Sequence, residues 1–216
     1  MTPTFSLLHA SARPRSWKKA WLTWMGSAVL IEQVEYILCV DAGTVGQFLV
    51  YGAPDKVRTI LNTGRECNVD AWNAAAMAAL GKILITVADD FYPPNCWDEK
   101  ILSALPSIDG EYVLEPYMGR PDYLLTHAIM TKKRYDRFGY ILHPDYFGMY
   151  SDDEFTDVAK RDGVIVQAHD MLFEHRHPAH GLAPDDDVYR RGNSAENYRI
   201  GREIYERRKA AGFPTR

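Results

Sequence analysis

The chain has 216 residues, of which 46% are hydrophobic and 25% are charged, and its formal net charge is -4 at pH 7. This composition is ordinary for a globular protein with a core, and the negative charge argues against a protein that coats nucleic acid. The three cysteines form no Cys-x-x-Cys pair, which argues against a disulfide framework and a zinc site. No segment has the pattern of a signal peptide or a membrane span, so we expect a cytoplasmic protein without a membrane anchor.

The first half of the chain alternates strand-like and helical patterns. Strands are predicted over 5–9, 35–41, 57–61 and 83–87, and helices over 17–25 and 70–80, the second helix ending at Gly81. The tryptophans of the first helix recur at helical spacing, which favours a stripe facing the core over a sugar platform. This alternation predicts an α/β fold whose ligands bind at the carboxyl ends of the strands. Asp41 and the pair Asp89-Asp90 occupy two such ends.

The second half is less regular. Strands are predicted over 112–114, 123–125 and 164–168, and helices over 132–138, 153–161 and 194–211. Residues 181–187 are the only stretch with the composition of a linker. We therefore predict a catalytic domain over residues 1–180, followed by a linker and a charged helix over 181–216 that pack on the same domain.

Three groups of polar residues could carry chemistry. Adjacent carboxylates such as Asp89-Asp90 repel each other unless a cation or hydrogen-bond donors offset the charge, although an exposed turn would also tolerate them. The segment from His169 to His177 holds a His-x-His pair suited to a metal or a phosphate, or histidines of a surface loop. The acids at 152–154 precede a predicted helix, where capping alone explains acidic residues.

Taken in chain order, these segments resemble GT-A glycosyltransferases of the family-two type over residues 5–178. The resemblance is carried by Ala12-Arg13-Pro14, Asp41, Leu61-Asn62-Thr63-Gly64, Asn73, Val87-Ala88-Asp89-Asp90, Asp152-Asp153-Glu154-Phe155 and His175. It departs from the family pattern at Ala88, which replaces the first acid of the DxD motif, and at Ser151, which replaces the glutamate before the base.

The resemblance implies a mixed sheet with helices on both faces, and a site for a nucleotide-diphosphate sugar, with a UDP-sugar favoured. Mn²⁺ or Mg²⁺ would be bound by Asp90 with His175 or His177. The catalytic base would be Asp152 or Asp153. The implied nucleotide-sugar contacts are Ala10, Arg13, Asp41, Asn62, Gly64, Arg65, Asn73 and Asp89, and Arg176 is a further candidate for charge near the diphosphate.

The implied reaction transfers a sugar to an acceptor hydroxyl of a saccharide, a small molecule or a hydroxymethylated base in DNA. The DNA acceptor is suggested by the compactness of the chain, which resembles bacteriophage enzymes, and by the basic residues of the last predicted helix. Interleaved glutamates indicate instead an ordinary solvated helix face. Two alternatives stay open, a sugar-phosphate nucleotidyltransferase and a module that binds a nucleotide without turnover.

Overall fold

The computed structural model describes residues 2–119, 124–178, 181–183 and 185–215. Its strands are β1 (Phe5–Ala10), β2 (Val34–Asp41), β3 (Val57–Asn62), β4 (Ile83–Val87), β5 (Phe91–Tyr92), β6 (Val113–Tyr117), β7 (Ile129–Thr131), β8 (Ile165–Leu172) and β9 (Glu174–His175). Its α-helices are α1 (Trp17–Gly26), α2 (Val45–Tyr51), α3 (Asn68–Ala78), α4 (Trp97–Ala104), α5 (Lys132–Phe138), α6 (Ser151–Asp162), α7 (Asp187–Gly192) and α8 (Ala195–Ala210).

Seven strands form one mixed sheet in the order β3-β2-β1-β4-β7-β6-β8. The strands from β3 to β4 are parallel neighbours, β7 runs antiparallel to β4 and β6, and β6 is parallel to β8. Strands inside such a sheet are covered on both faces, and this accounts for the continuous apolar runs of β2 and β4. The predicted α/β class with a mixed sheet is confirmed.

Successive side chains of the central strands enter two separate cores, because they point to opposite faces of the sheet. Leu7 belongs to the core that contains Trp24 of α1 and Trp97 of α4. Leu8 belongs to the core that contains Trp72 of α3. Helices therefore cover both faces, and the tryptophans at 17 and 24 lie in the core, as the helical spacing predicts.

Helix α3 begins and ends earlier than the sequence pattern predicts, so the assignment of Gly81 as its cap is wrong. The Gly81 N–H donates to the Ser6 hydroxyl at 2.8 Å. A Cβ at this position would lie 2.7 Å from the backbone carbonyl carbon of Phe5. Glycine is required here by the close approach of β1 and not by the end of a helix.

The prediction of a strand over 123–125 is also wrong for the two residues of this range that the structure describes. Leu124 and Leu125 lie outside any strand, and Tyr123 lies outside the described residues. The Leu125 N–H donates to the Thr156 hydroxyl at 3.0 Å, and the antiparallel neighbour of β4 is instead β7. A short apolar run does not distinguish a buried loop from a strand.

Helix α8 packs on α6 through a buried ion pair. Arg208 donates to both carboxylate oxygens of Glu154, at 2.7 and 2.8 Å, and neither side chain is more than 7% exposed. The Tyr146 hydroxyl donates to the same carboxylate at 2.7 Å. These contacts attach the end of the chain to the helix that carries Asp152 and Asp153, while the domain division at residue 180 stays a prediction. No helix within the described ranges is long and apolar enough to cross a bilayer.

Candidate functional site

A cavity of about 1000 Å³ opens at the carboxyl ends of β1, β2 and β4. Ala10 and Asp41 end β1 and β2, Asp89 and Asp90 follow β4, and all four residues line the cavity. The start of α6, with Asp152 and Asp153, and residues 188–198 complete its wall. The volume is at the upper end of the range of roughly 300–1,000 Å³ found for small-molecule sites.

The backbone of the Asp89-Asp90 turn is held from several sides. The Trp72 indole donates to the Val87 carbonyl at 3.0 Å, and the Trp24 indole donates to the Phe91 carbonyl at 2.8 Å. The Tyr92 hydroxyl donates to the Asp89 carbonyl at 2.9 Å, and the Arg176 N–H donates to the Asp90 carbonyl at 2.8 Å. Because the two indoles come from helices on opposite faces of the sheet, the turn is held from both faces.

Asp90 and His175 face each other at the cavity. Asp90 Oδ2 lies 3.8 Å from His175 Nε2, because β5 pairs antiparallel with β9 and places Phe91 opposite His175. Burial raises the pKa of the Asp90 carboxyl to about 6, and the positive charge of Arg13 opposes this rise. A carboxylate that is costly to ionise in isolation is stabilised by a nearby cation.

Two further histidines surround His175. The ring of His127 stacks on Phe91, with 3.9 Å between centroids, and meets the His175 ring edge to face at 4.8 Å. Burial, together with the charges of His175 and His177, lowers the pKa of His127 well below its usual value, so its ring is neutral. His127 Nδ1 is buried without a hydrogen-bond partner among the described residues. The His177 ring lies 5.0 Å from that of His175.

The donor set suits a divalent ion that shares its ligands with a bound diphosphate. Within the part of the chain that the structure describes, no three His, Cys, Asp or Glu side chains converge as a complete metal site. Mg²⁺ and similar ions are commonly held by one or two carboxylates together with substrate phosphates. Asp90 and His175 fit such a site, and His177 is the adjacent alternative ligand.

Asp89 points into the protein and joins a chain of buried polar groups. Its carboxylate accepts from the Ser11 hydroxyl at 2.9 and 3.0 Å and lies 3.1 Å from His9 Nε2. Since a carboxylate only accepts, His9 donates through Nε2, and its Nδ1 accepts from the Tyr36 hydroxyl at 2.6 Å. Asp89 therefore fixes the end of β1, and its predicted contact with a nucleotide sugar stays a prediction.

Arg13 lies between two carboxylates at the edge of the cavity. Its Nε and Nη2 donate to Asp186, at 2.6 and 3.0 Å, and its Nη1 lies 3.5 Å from Asp89 Oδ2. Asp186 also caps α7 by accepting from the Tyr189 N–H at 2.8 Å. The guanidinium is thus held at the edge of the cavity, and α7 is attached to the cavity by the same contact.

Asp41 is oriented by the predicted Asn-x-Gly segment. The Asn62 amide donates to Asp41 Oδ1 at 2.8 Å and to the Arg65 carbonyl at 2.7 Å, and the Gly64 N–H donates to Asn62 Oδ1 at 3.0 Å. A Cβ at Gly64 would lie 2.6 Å from Asp70 Oδ2. Burial raises the pKa of Asp41, while the Asn62 hydrogen bond opposes that rise. Asn62 and Gly64 act on Asp41, and Asp41 is the residue that lines the cavity.

Arg65 and Asn73 make contacts within the scaffold. Arg65 forms a double hydrogen bond with Asp70, at 2.6 and 3.0 Å, and donates to the carbonyls of Pro144 and Tyr146. The Asn73 amide donates to the Leu142 carbonyl at 2.8 Å and accepts from backbone N–H groups of the same segment. Similarly, Arg176 is paired with Glu174. The predicted nucleotide-sugar contacts of Arg65 and Asn73 stay predictions, as does the charge expected from Arg176 near the diphosphate.

The acids of α6 divide into two groups. Asp152 and Asp153 line the cavity and are partly exposed, whereas Glu154 is buried in its ion pair with Arg208. Tyr150 precedes the helix with a positive φ of 67°, which turns the chain sharply into α6. The structure therefore keeps both candidate bases at the cavity and removes Glu154 from the site.

Sequence reasoning missed His9, Ser11 and His127 at the site. His9 is a polar residue inside an otherwise apolar strand, and this could have identified it. The sequence contains no comparable signal for His127, since it becomes part of the site only when β7 lies beside β4. Sequence reasoning also gave no sign that residues 188–198, within the predicted linker and charged helix over 181–216, line the cavity.

No family model matches the chain, and no curated protein matches it by sequence. Solved structures do match. The Pyrobaculum calidifontis mannosyltransferase PcManGT, in complex with GDP-Man and Mn²⁺, superposes with a TM-score of 0.63 at 11% identity over 98% of this chain and 76% of its own. Mycobacterium tuberculosis glucosyl-3-phosphoglycerate synthase, with Mg²⁺ and UDP, gives 0.62 at 14% identity, over 98% and 80% of the two chains.

S. aureus TarS 1–349 gives a TM-score of 0.61 at 15% identity over 79% of this chain. The match spans about three fifths (59%) of that TarS chain. These identities support a common architecture and not a common activity. The resemblance in sequence order, the strand order of the sheet and the solved structures agree, and the chain has the GT-A fold.

Proposed function

We propose that the protein is a metal-dependent glycosyltransferase that moves a sugar from a nucleotide-diphosphate sugar to an acceptor hydroxyl. One observation carries this proposal: Asp41, the Asp90–His175 pair and Asp152-Asp153 line a single cavity. Solved structures of the same fold bind GDP-Man with Mn²⁺ and UDP with Mg²⁺, which supports the choice of ligand class.

The donor would occupy the rim formed by β1, β2 and β4. The Asp41 carboxylate, oriented by Asn62, can accept an N–H of the base. The Arg13 guanidinium can pair with a phosphate, since planar guanidinium groups recognise phosphates through paired hydrogen bonds. Mn²⁺ or Mg²⁺, when bound by Asp90 and His175, would neutralise charge on the leaving diphosphate. The identity of the base stays open, with uracil favoured.

The acceptor would enter from the side of α6. Asp152 or Asp153 would accept the proton of the attacking hydroxyl, a contribution of about 10²–10⁴-fold to the rate. Their position at the start of a helix favours the ionised carboxylate, because the helix dipole places positive charge there. An ionised carboxylate is the form that a general base requires.

A module that binds a nucleotide without turnover is a second candidate, and Ala88 favours it. Ala88 supplies no carboxylate, and the carboxylate of Asp89 contacts Ser11, His9 and Arg13. Asp90 is therefore the carboxylate of this motif that lies beside His175. A sugar-phosphate nucleotidyltransferase stays a third reading, and its product would be a nucleotide sugar rather than a glycoside.

The binding step is tested by thermal unfolding with UDP, GDP, CDP and ADP, each with and without Mn²⁺. We expect one nucleoside diphosphate to raise the melting temperature only in the presence of Mn²⁺. Asp90→Ala should abolish the rise, because it removes a carboxylate of the proposed metal site. The matched control is Asp55→Ala, at an exposed position outside the cavity.

Turnover is tested by incubating the protein with nucleotide sugars and measuring the release of nucleoside diphosphate. Release that depends on Mn²⁺ and on Asp90 supports the transferase. Metal-dependent binding without release would favour the binding module. Absence of any response to all four nucleotides would refute both.

A further inference from the structure

The cavity carries an unusual pair of side chains. Ten large apolar side chains in the described residues are more than a third exposed, and eight of these are aliphatic residues outside the cavity. The other two are the aromatic residues Phe147, at 44% exposure, and Tyr198, at 47%, and both line the cavity. Single exposed aliphatic side chains are normal, whereas exposed aromatic rings inside a concave site indicate a ligand.

Phe147 packs against the guanidinium of Arg65. The Arg65 guanidinium lies 4.4 Å from the centre of the Phe147 ring, and it is itself fixed by its double hydrogen bond with Asp70. Packing against a fixed guanidinium restricts the Phe147 side chain in the protein without a ligand. Such preorganisation lowers the entropic cost of binding.

Tyr198 is placed by the first turn of α8. Ser194 caps this helix by accepting from the Asn197 N–H at 3.2 Å, and the Tyr198 N–H donates to the Ser194 carbonyl at 3.1 Å. One turn later, Gly201 packs so closely on the Met149 carbonyl that a Cβ would overlap it. The start of α8 therefore lies across the segment that leads from Phe147 into α6.

Both rings therefore belong to the part of the wall that is continuous with the candidate bases. The segment from Phe147 to Tyr150 runs directly into Ser151, and Asp152 and Asp153 follow. The Arg202 guanidinium donates to the Tyr150 hydroxyl at 2.9 Å and fixes this segment against α8. The same cavity is therefore lined by both rings and by the two carboxylates.

The charges around this wall favour an uncharged acceptor over a strongly anionic one. Proteins that bind single-stranded nucleic acid on aromatic platforms combine them with a positively charged groove that follows the phosphate backbone. Here most basic residues of the α8 region pair with carboxylates of the same chain: Arg199 with Glu196 and Glu203, Arg207 with Asp145, Arg208 with Glu154, Lys209 with Asp157, and Arg191 with Glu66, whereas Arg202 donates to the Tyr150 hydroxyl. The wall also carries the acids Asp152 and Asp153.

We propose that Phe147 and Tyr198 form the acceptor subsite and that the acceptor is an uncharged saccharide. The rings supply flat apolar surfaces for the C–H faces of a sugar ring, and the neighbouring carboxylates accept from its hydroxyl groups. This inference rests on the proposed function, because it assigns the acceptor of the same reaction. It disfavours the hydroxymethylated base in DNA, because all but one of the basic residues of α8 that suggested it pair with carboxylates of the same chain.

The test uses the full chain with Mn²⁺ and the nucleoside diphosphate that stabilises it. Binding of N-acetylchitobiose, maltotriose and mannobiose is measured by saturation-transfer NMR, and binding of a duplex containing 5-hydroxymethylcytosine by fluorescence anisotropy. We expect at least one saccharide to bind. Tyr198→Ala and Phe147→Ala should each weaken it by about fivefold to a hundredfold, the range for loss of one aromatic stacking contact.

Two controls keep the result specific. Tyr198→Phe retains the ring and should retain most of the saccharide affinity. Met77→Ala removes an exposed side chain (81%) outside the cavity and should change nothing. The nucleotide affinity is measured separately for every variant and should stay within about twofold, since the proposed donor contacts are made by other residues.

Several results would overturn the inference. They are failure of all three saccharides to bind, unchanged saccharide affinity in both alanine variants, or tighter binding of the modified duplex than of any saccharide. A parallel loss of nucleotide affinity in the alanine variants would also overturn it, because the rings would then serve the donor. If the wild-type protein binds no nucleotide, the proposed function fails instead, and this result is read independently of the saccharide titration.

Discussion

The two halves of the sheet are built in different ways. From β1 to β4, strands and helices alternate, and the acids of the cavity follow strands that the sequence pattern marks clearly. From β6 onward, the regular alternation of strands and helices is lost. The wall of the cavity is held there by contacts between residues that are distant in sequence, such as Arg208 and Glu154. A site built on strand ends can be located from sequence, whereas one built on distant ion pairs requires the tertiary structure.

The two halves of the sheet also differ in the function that we propose for them. The first half would hold the donor mainly through groups at the ends of the parallel strands, and the second half adds His175 to the metal site and Asp186 beside Arg13. The second half would hold the acceptor and the base on α6. If this division is correct, substitutions at the strand ends, on α6 and at the contact between α6 and α8 should separate nucleotide binding from transfer and from stability. The following predictions test that separation, beginning with the largest expected effect.

The largest effect is expected at the start of α6. Asp152→Asn or Asp153→Asn should lower the transfer rate by about 10²–10⁴-fold, because one of them removes the general base. Nucleotide binding in the presence of Mn²⁺ should not change. The matched control is Asp157→Asn on the same helix, whose carboxylate accepts from the Tyr205 hydroxyl at 2.7 Å and lies outside the cavity. Full transfer by both single variants would place the base elsewhere.

The next effect concerns stability. Arg208→Met should lower the free energy of unfolding by about 3–5 kcal/mol, because it leaves the buried Glu154 carboxylate without its cation. Urea unfolding measures the loss, and the double variant Arg208→Met with Glu154→Leu should recover most of it. Arg207→Met is the control: its side chain is 67% exposed, and its pair with Asp145 contributes less than about 1 kcal/mol. Equal losses in both arginine variants would show that burial does not control the contribution.

A smaller effect is expected in the first half. Asn62→Ala should weaken nucleotide binding by about tenfold to a hundredfold, since a hydrogen bond to a charged group contributes about 1.5–3 kcal/mol and orients Asp41. Isothermal titration with the preferred nucleotide measures the change. Asn73→Ala removes the same amide from a scaffold contact and should reduce stability while leaving nucleotide affinity intact. An equal loss of nucleotide affinity in both variants would indicate that Asn73 also contributes to the donor site.

The smallest effect tests the contact between α7 and the cavity. Asp186→Asn should tighten nucleotide binding by up to about fivefold, because the carboxylate competes with a phosphate for the partly exposed Arg13. Asp187→Asn is the matched control, since it removes the neighbouring carboxylate, which is 98% exposed and pairs with Arg190. Weaker nucleotide binding in Asp186→Asn would indicate that this carboxylate serves to hold Arg13 in place rather than to compete for it.

The fold was predictable to the extent that it follows local periodicity. Strands β2 and β4 are marked in the sequence by continuous apolar runs. Helices α1, α5 and α6 are marked by helical spacing or by residues typical of helix ends. Each of these signals lies within the element itself. The end of α3 and the strand β7 were not predictable in this way. Gly81 is selected by its contact with β1, and the apolar run at Leu124-Leu125 packs in a loop.

The sequence by itself determined that Asp41, Asp89 and Asp90 follow strands of a parallel sheet, because strand periodicity and strand ends are local properties. It also placed Asp152 and Asp153 at a helix start. Only the tertiary structure decided that Asp89 turns inward to Ser11 and His9 while Asp90 meets His175. The same holds for the exposed rings of Phe147 and Tyr198, since the exposure of a side chain depends on neighbours that come from distant parts of the chain.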